Sequence, residues 1–517
     1  MKALIISFPV RPLGICLLIS CSVAGALRAA DSDPAHRSLS LSDCFQLALK
    51  HNLDLKIERL SGKIAQHRLD ESRGVYDPTF NISATRDFLD QPSMFDRKKE
   101  EGDVPYQLTS DIFSGGISGK LPTGLTYDLN GALTKWKALT DLRDLGVPGT
   151  GFRNTNEYGL SSGIFLKQPL LKDFWTDADR MKIQVSRKNL QISENNLVSR
   201  MMATVGAVQA AYFDALHAQE VVKVHRVTLE SANQLLSEVR SRIQSSALAP
   251  IEEKLFDYYA VNVAASVVDA ERAETESEHN LRRLLIEDVK DLQAGPLDLT
   301  DPFFEIEEQF DQMGSWRDAM TKRPDVQQLK VEMEKQDIVL RYDRNQLFPS
   351  LDLVGSYGLT GIDPELGGAS RQVRRGVNSF YGYGVTMSIP LSNRSARNRY
   401  RATQEEKQQS LLRMKKLELD ILSEVENAGK QMSAAYRRIA PSRRAAQLAE
   451  EVLRAEQSKI QLGQPNGLAV VEARRRLTSA QISSLNAVLE YNKARTKLSL
   501  LEGEILERNK IEVDVKE

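Results

Sequence analysis

Two long stretches of the chain carry apolar residues at the three- and four-residue spacing of packed helices. In the first stretch the apolar positions lie four, four, three, four and three residues apart, at Leu197, Met201, Val205, Val208, Tyr212 and Ala215. In the second they lie three, four, four, three, four and three apart, at Met414, Leu417, Ile421, Val425, Ala428, Met432 and Ala435. This heptad-like pattern predicts helices that pack against other helices.

Each long helical stretch is preceded by a segment in which apolar residues alternate with small or polar ones. In the second half the apolar side holds Tyr381, Tyr383, Val385, Met387 and Ile389, and in the first half it holds Tyr158, Leu160, Ile164 and Leu166. A period of two predicts strands with one apolar face. Such a face suits a strand between lipid and a watery lumen, and it equally suits a half-buried strand in a soluble sheet.

The chain is a duplication. Asn52 precedes Pro78 by the same 26 positions by which Arg323 precedes Pro349, which is an offset of 271 between the copies. The first repeat, residues 31–300, is predicted to contain a helix over 43–76, strands near 79–86 and 158–168, and a helical hairpin over about 178–293. The second, residues 301–517, is predicted to contain a helix near 315–347, strands near 350–358 and 379–389, and a helical hairpin over about 395–510.

The offset between the copies changes along the chain, which locates an insertion. It falls to 221 between Pro169 and Pro390, so the loop between the first two strands is 50 residues longer in the first copy. Loops tolerate such insertions at a small thermodynamic cost. The insertion contains an alternating hairpin near residues 112–134, which is either an extra membrane hairpin or an extracellular addition.

The two long helical arms have matched lengths. Arg180 to Ile243 and Arg397 to Ile460 both span 63 positions, with a constant offset of 217. At 1.5 Å per residue each arm would be roughly 95 Å long. Equal arms of this length suit the wall of a tube, although a helical bundle predicts the same local pattern. Pro441 lies inside the second arm, where a kink or break is expected.

The N-terminus has the features of an export signal. An apolar run from Leu13 to Ala26 has the length of a signal peptide and is short for a membrane span, so residues 1–30 are predicted to be a signal peptide. Cleavage near residues 26–30 is the favoured outcome. Cys21 in a lipobox-like segment makes lipidation at that residue the alternative. No later stretch approaches 18 apolar residues, so a membrane-inserted form would have to use a closed β-barrel.

Composition and motifs exclude several classes of function. The 69 basic and 70 acidic residues balance, so nucleic acid is not an expected partner. The three cysteines do not provide a disulfide framework or a cysteine-based metal site, and no HExxH or phosphate-loop pattern occurs. We therefore expect neither a cofactor nor an enzyme.

Several segments together resemble the TolC-like outer-membrane efflux family. They are LSLSDCFQLALKHNLDLK, GIFLKQPLL, VTMSIPL, AAYFDALHAQE and the segment from Gly463 to Ala473. The resemblance implies an α+β membrane protein with duplicated halves. Three chains, each giving four strands and possibly an extra hairpin, would form an outer-membrane β-barrel continued by a long periplasmic helical barrel. It also implies a homotrimer that contacts outer-membrane lipid and docks onto a periplasmic adaptor and an inner-membrane pump.

The resemblance also implies where the closed end of the tunnel lies. Acidic residues ring that end in the family, and the matching positions here are Glu252 and Glu472, while a further family acid falls on Ala469. Like charges clustered around a three-fold axis would bind cations or favour opening. The adjoining tips, with Ser246, Pro250, Gly463 and Gly467, are the expected contacts for the adaptor. The alternative for the acids is a solvated helix surface or a helix cap. Arg474, Arg475 and Arg476 could pair with these acids or with an adaptor, and a solvated charge run is the favoured alternative.

The function expected from these observations is an outer-membrane channel of a tripartite efflux or type I secretion system. Export would be passive and driven by the pump. The alternative is a soluble periplasmic coiled-coil or adaptor protein, against which the alternating strands argue.

Overall fold

A computed structural model describes residues 37–91, 106–141, 152–244, 250–287, 297–461 and 467–512. The predicted signal peptide and Cys21 lie outside these residues. The first half contains β1 (Arg37–Leu39), α1 (Leu41–His51), α2 (Leu53–Arg73), β2 (Thr79–Gln91), β3 (Tyr106–Lys120), β4 (Thr126–Asp141), β5 (Phe152–Pro169), α3 (Ala178–Gln244) and α4 (Pro250–Leu285). The second contains β6 (Leu297–Leu299), α5 (Gln312–Lys322), α6 (Pro324–Asn345), β7 (Ser350–Asp363), α7 (Leu366–Arg375), β8 (Asn378–Ser388), α8 (Arg394–Gln461), α9 (Gly467–Glu502) and α10 (Ile505–Arg508).

The single helix predicted at the start of each half is wrong, because each is divided into two. In the first half the break is at Asn52, whose side chain accepts hydrogen bonds from the N–H groups of Asp54 (3.0 Å) and Leu55 (3.3 Å) and so caps α2. In the second half the break is at Arg323. Pro324 disfavours helical backbone at the residue before it and itself suits the first position of α6.

The strands form an antiparallel sheet of six within the described residues, in the order β2-β3-β4-β5-β7-β8. The sheet contains the four expected strands and the possible extra hairpin, because the inserted hairpin β3–β4 lies in the middle of the sheet. Strands β2, β5 and β7 are also longer than the alternating pattern predicted, while β8 has the predicted length. A separate parallel pair, β1 with β6, joins the start of the first half to the start of the second.

The two faces of the six-stranded sheet differ in chemistry. One row of directly paired residues crosses all six strands and is apolar throughout, with Phe80, Ile117, Leu129, Ile164, Tyr357 and Tyr381. A row on the opposite face is small and polar, with Ser83, Ser114, Ala132, Ser161, Thr360 and Asn378. Directly opposed residues of a pair point to the same side of a sheet, so each row belongs to one face.

The helical arms keep the equal lengths that the repeat predicts. Helices α3 and α8 contain 67 and 68 residues, and α4 and α9 contain 36 residues each. A 67-residue helix is roughly 100 Å long. The expected break at Pro441 is absent, since α8 continues through this residue. Among the described helices, none combines the length and apolar character needed to cross a membrane.

The helical part is held together by two equivalent cores near its middle. In the first half, α1 packs on α3 through fully buried residues that include Ala48, Val205 and Tyr212. In the second half, α5 packs on α8 and α9 through Ala319, Ile421 and Tyr491 among others. The heptad-like apolar positions of the sequence are therefore the core positions of these helices.

Candidate channel tips and strand–helix joint

Residues 245–249, between α3 and α4, and residues 462–466, between α8 and α9, fall outside the described residues. Ser246 and Gly463, two of the expected adaptor contacts, therefore lie outside the described residues. The other two, Pro250 and Gly467, are the first residues of the return helices α4 and α9. Proline suits this position because the first turn of a helix has no intrahelical partner for its N–H groups.

Apolar packing next to the turns joins the two arms into one tip. Residues of α3 and α4, including Leu236, Val239 and Phe256, form one cluster. Residues of α8 and α9, including Leu453 and Val470, form a second. Leu235, Val471 and other partly buried residues pack against these clusters, and Leu235 contacts both of them. The tip is therefore built from both hairpins.

Glu252 lies at the contact between the hairpins. A Cβ placed on Gly467 would be 2.2 Å from Oε2 of Glu252 and 2.8 Å from the ring of Phe256, so the carboxylate sits against the start of α9. This oxygen is buried, and none of the described residues gives it a hydrogen bond. The positive end of a helix dipole favours a carboxylate at this place. Glu252 is therefore neither a fully solvated surface charge nor a hydrogen-bonded cap among the described residues.

Glu472 lies five residues further along α9 and has a different environment. Its carboxylate accepts hydrogen bonds from Nε and Nη2 of Arg475, both at 3.0 Å, and from Nε of Arg476 at 3.2 Å. Hydrogen bonds from Arg475 and then Arg476 lower the pKa of Glu472, so it is ionised at neutral pH. Arg475 and Arg476 are therefore paired with Glu472 and do not form a purely solvated charge run.

Two further acidic residues at the tip, Glu253 and Asp257, link α4 to α3. Arg240 on α3 pairs with Glu253 at 2.9 Å and with Asp257 at 3.5 Å, both on α4. These side chains are largely exposed, and exposed ion pairs contribute little to stability. Their effect is to fix the charge distribution on the outer surface of the tip.

A polar cleft between α3, α4 and α9 was not found by sequence reasoning. It has a volume of about 450 Å³, and its lining includes His225, Thr228, Tyr259, Thr478 and Asn486. The hydroxyl groups of Thr228 and Thr478 are 3.2 Å apart across it. Its residues come from three helices at unrelated positions in the sequence, so no local spacing could have shown it. Within the described chain, no three metal-ligating side chains come together.

The joint between the sheet and α3 is a second site that the sequence did not indicate. Lys120, at the end of β3, places Nζ 2.7 Å from Asp177 and 2.6 Å from Asp179. Asp177 also caps α3, because its Oδ1 accepts the N–H of Arg180 at 2.8 Å. The side chain of Asp177 is 3 % exposed. The contact with Lys120 therefore ties the inserted hairpin to the start of a long helix.

The turn of the inserted hairpin is held at the same joint. Gln168 on β5 donates a hydrogen bond from Nε2 to the carbonyl oxygen of Thr123 at 3.1 Å. Gly124 has a φ of 87°, a conformation that favours glycine, and it approaches Pro169 closely. The end of the hairpin is thus fixed at the level where β5 leaves the sheet.

Comparison with known proteins agrees with this architecture. Residues 316–504 match the family described as "Outer membrane efflux protein". The pyoverdine export outer membrane protein OpmQ of Pseudomonas aeruginosa is 23% identical over 363 residues, which cover 69% of this chain and 72% of the relative.

Solved structures with this fold are outer-membrane channels. The channel OprN has a TM-score of 0.64 at 16% identity, covering 90% of each chain. The Campylobacter jejuni channel CmeC has a TM-score of 0.63 at 14% identity, covering 90% of this chain and 85% of the other. At these identities the likeness establishes the fold alone. The match of residues 316–504 to this family confirms, over that part of the chain, the resemblance to TolC-like outer-membrane efflux proteins.

Proposed function

We propose that this protein is the outer-membrane channel of a tripartite efflux or type I secretion system. Three copies form a closed β-barrel in the outer membrane and a helical tunnel in the periplasm. Export through the tunnel is passive, and an inner-membrane pump supplies the energy. The match of residues 316–504 to the outer membrane efflux protein family and the likeness in fold to known channels support this role.

The observation that carries the proposal is the sheet with one apolar face and two open edges. The apolar row from Phe80 to Tyr381 is continuous, and its members on β2 and β8 are highly exposed. Strands β2 and β8 each lack a partner on one side within the described sheet. Lipid would cover the apolar face, and pairing between copies would satisfy the edges, since open edges do not occur in hydrocarbon.

The helical arms support the tunnel. The four long helices form two hairpins whose members are separated by a constant 217 positions, from Pro250 to Gly467 and from Leu285 to Glu502. Equal arms let all walls of a tube end at the same level. A soluble adaptor, the alternative, would not need the apolar row that crosses all six strands of the sheet.

We assign the closed end and the docking surface to the tips. Glu252 and Glu472 provide acidic groups near the lower end, and Pro250 and Gly467 begin the helices that contact the adaptor. Ser246 and Gly463, which lie outside the described residues, remain predicted contacts for the adaptor. In a trimer each group occurs three times, so the ionised Glu472 contributes a ring of negative charge, which its own arginines partly offset.

The proposed function is tested by fractionation and native mass measurement. The mature protein should be found in the outer membrane, require detergent for extraction, and run as a trimer that dissociates on heating. Recovery as a soluble monomer after osmotic shock would favour the adaptor alternative and overturn the proposal.

The gate assignment is tested by ion selectivity in planar bilayers. Glu472→Gln removes the carboxylate but leaves Arg475 and Arg476, so the reversal potential in a salt gradient should move toward anion selectivity. Glu426→Gln is the matched control, because Glu426 has a similar pair with Lys430 on α8, far from the tips. Equal reversal potentials for the two variants would remove Glu472 from the gate.

A further inference from the structure

We infer that the inserted hairpin β3–β4 is part of the membrane wall, so that the channel closes as an 18-stranded barrel. The family resemblance implies four strands per chain, and hence 12 in a trimer. Three copies of the six-stranded sheet give 18 instead. The inference rests on the proposed trimeric channel and specifies the width of its outer-membrane part.

The first argument is that the hairpin is paired along its length on both sides. β3 pairs with β2 from Thr79↔Ser118 to Gln91↔Tyr106. β4 pairs with β5 from Thr126↔Lys167 to Asp141↔Phe152. A wall of four strands per chain would require β2 to pair with β5, which would break both of these ladders. An addition outside the membrane has no need of such pairing.

The second argument is that the hairpin continues both faces of the sheet. Ile117 and Leu129 fill the apolar row between Phe80 and Ile164, and both side chains are exposed. Ser114 belongs to the polar row on the other face. With 15 and 16 residues, β3 and β4 exceed the roughly 9–11 residues that a tilted strand needs to cross a membrane.

The third argument is the position of the hairpin turn. Lys120 is bound to Asp177 and Asp179 at the start of α3, and Gln168 holds the turn from β5. These contacts place the turn at the helical rim of the sheet. The strands of the hairpin therefore occupy the same level as their neighbours, which is the level of the membrane in the proposed channel.

The sheet has an even number of strands, so its first and last strands run in opposite directions and copies can join into a closed barrel. β2 runs away from the helical end and β8 returns to it, so β8 of one copy can pair antiparallel with β2 of the next. A head-to-tail contact of this kind forms a closed ring. With strands about 4.8 Å apart and tilted by about 40°, 18 strands enclose a backbone diameter of about 36 Å, compared with about 24 Å for 12 strands.

The wider barrel moves the limit on cargo size. The number of long helices per copy is unchanged at four among the described elements, while the strands have increased from four to six. With helices about 8–10 Å apart, the 12 long helices of a trimer span about 31–38 Å across their axes, so an 18-stranded barrel is about as wide as the tunnel and a 12-stranded barrel is narrower. Cargo that passes the helical tunnel, including bulky amphiphiles and polypeptide segments, therefore meets a lower steric barrier from 18 strands than from 12.

The inference is tested with nitroxide labels on single cysteines of the full-length protein in lipid vesicles. Leu129→Cys and Asn130→Cys probe the two faces of β4, and Val385→Cys and Thr386→Cys are the matched positions on β8. Cys44 is fully buried, and burial raises the pKa of its thiol to about 12, so it does not compete for the label.

The ratio of oxygen to aqueous nickel-chelate accessibility should exceed one at Leu129 and Val385 and fall below one at Asn130 and Thr386. A ratio below one at Leu129 with a ratio above one at Val385 would overturn the 18-stranded wall and leave the proposed channel intact. A ratio below one at Val385 as well would overturn both. If a variant does not assemble, counting strands in images of the unmodified trimer decides between 18 and 12.

Discussion

The Lys120→Met substitution tests whether the inserted hairpin is structurally coupled to the helical arm. Methionine retains an unbranched apolar side chain but removes the charge that lies 2.7 Å from Asp177 and 2.6 Å from Asp179. Asp177 keeps its hydrogen bond from the N–H of Arg180, so the cap of α3 survives. The perturbation is therefore confined to the link between β3 and α3.

The expected cost follows from the burial of the pair. Removing one partner of a fully buried ion pair costs about 3–5 kcal/mol because the other charge is left unpaired. Asp177 is almost completely buried, but Lys120 is 23% exposed and Asp179 is 30% exposed, so water offsets part of the loss. We expect a loss of about 1–3 kcal/mol in the free energy of unfolding.

The measurement is urea-induced unfolding of the detergent-purified protein. Lys223→Met is the control, because Lys223 pairs with Glu220 on the surface of α3 with side-chain exposures of 66% and 37%. An exposed pair of this kind contributes about 0–1 kcal/mol. If Lys120→Met unfolded at the same urea concentration as the control, the proposed anchoring of the hairpin would be refuted.

Three further predictions concern the helical part. Ile421→Ala should lower the free energy of unfolding by about 2–5 kcal/mol, because Ile421 is fully buried where α8 packs on α9. The conservative control Ile421→Val removes only one methylene group and should lower the free energy of unfolding much less. Tyr491→Phe should lower the free energy of unfolding by about 1–3 kcal/mol in the same assay, because the Tyr491 hydroxyl donates a hydrogen bond to the carbonyl oxygen of Ile306 at 2.5 Å. An unchanged free energy of unfolding would mean that water replaces the hydroxyl as the donor to Ile306. Burial lowers the pKa of His217 below its ordinary value of about 6.5, so the unfolded chain binds more protons than the folded chain, and stability should fall as the pH drops below about 6.5. In unfolding curves measured at several pH values, His217→Gln should reduce this pH dependence of stability. An unchanged pH dependence would contradict the assignment to His217.

The duplication made the helical architecture predictable from the sequence. The separation of 217 between the arms was visible in the sequence and recurs between Pro250 and Gly467. The apolar heptad positions are also the core positions. The break at Asn52 was missed because amphipathic spacing continues across it, and the decisive interaction is a side-chain cap whose geometry a spacing pattern does not show.

The arrangement of the sheet was only partly predictable. The alternation of apolar and polar residues identified an apolar face on single strands. The same alternation occurs in a strand of the membrane wall and in a hairpin added outside the membrane. The pairing of β3 with β2 and of β4 with β5 depends on long-range register, which local alternation leaves open. The tip acids show the same limit, since Glu252 and Glu472 look alike in the sequence while one lies against Gly467 and the other pairs with arginines.

The central claim is that copies of this chain close a transmembrane channel through their open sheet edges. A cryo-electron microscopy map of the purified protein in lipid nanodiscs tests this most directly. The account predicts a three-fold ring in which β2 of one copy pairs with β8 of the next, with the apolar row from Phe80 to Tyr381 facing lipid. A monomer with free sheet edges, or a sheet that lies outside the lipid, would contradict it.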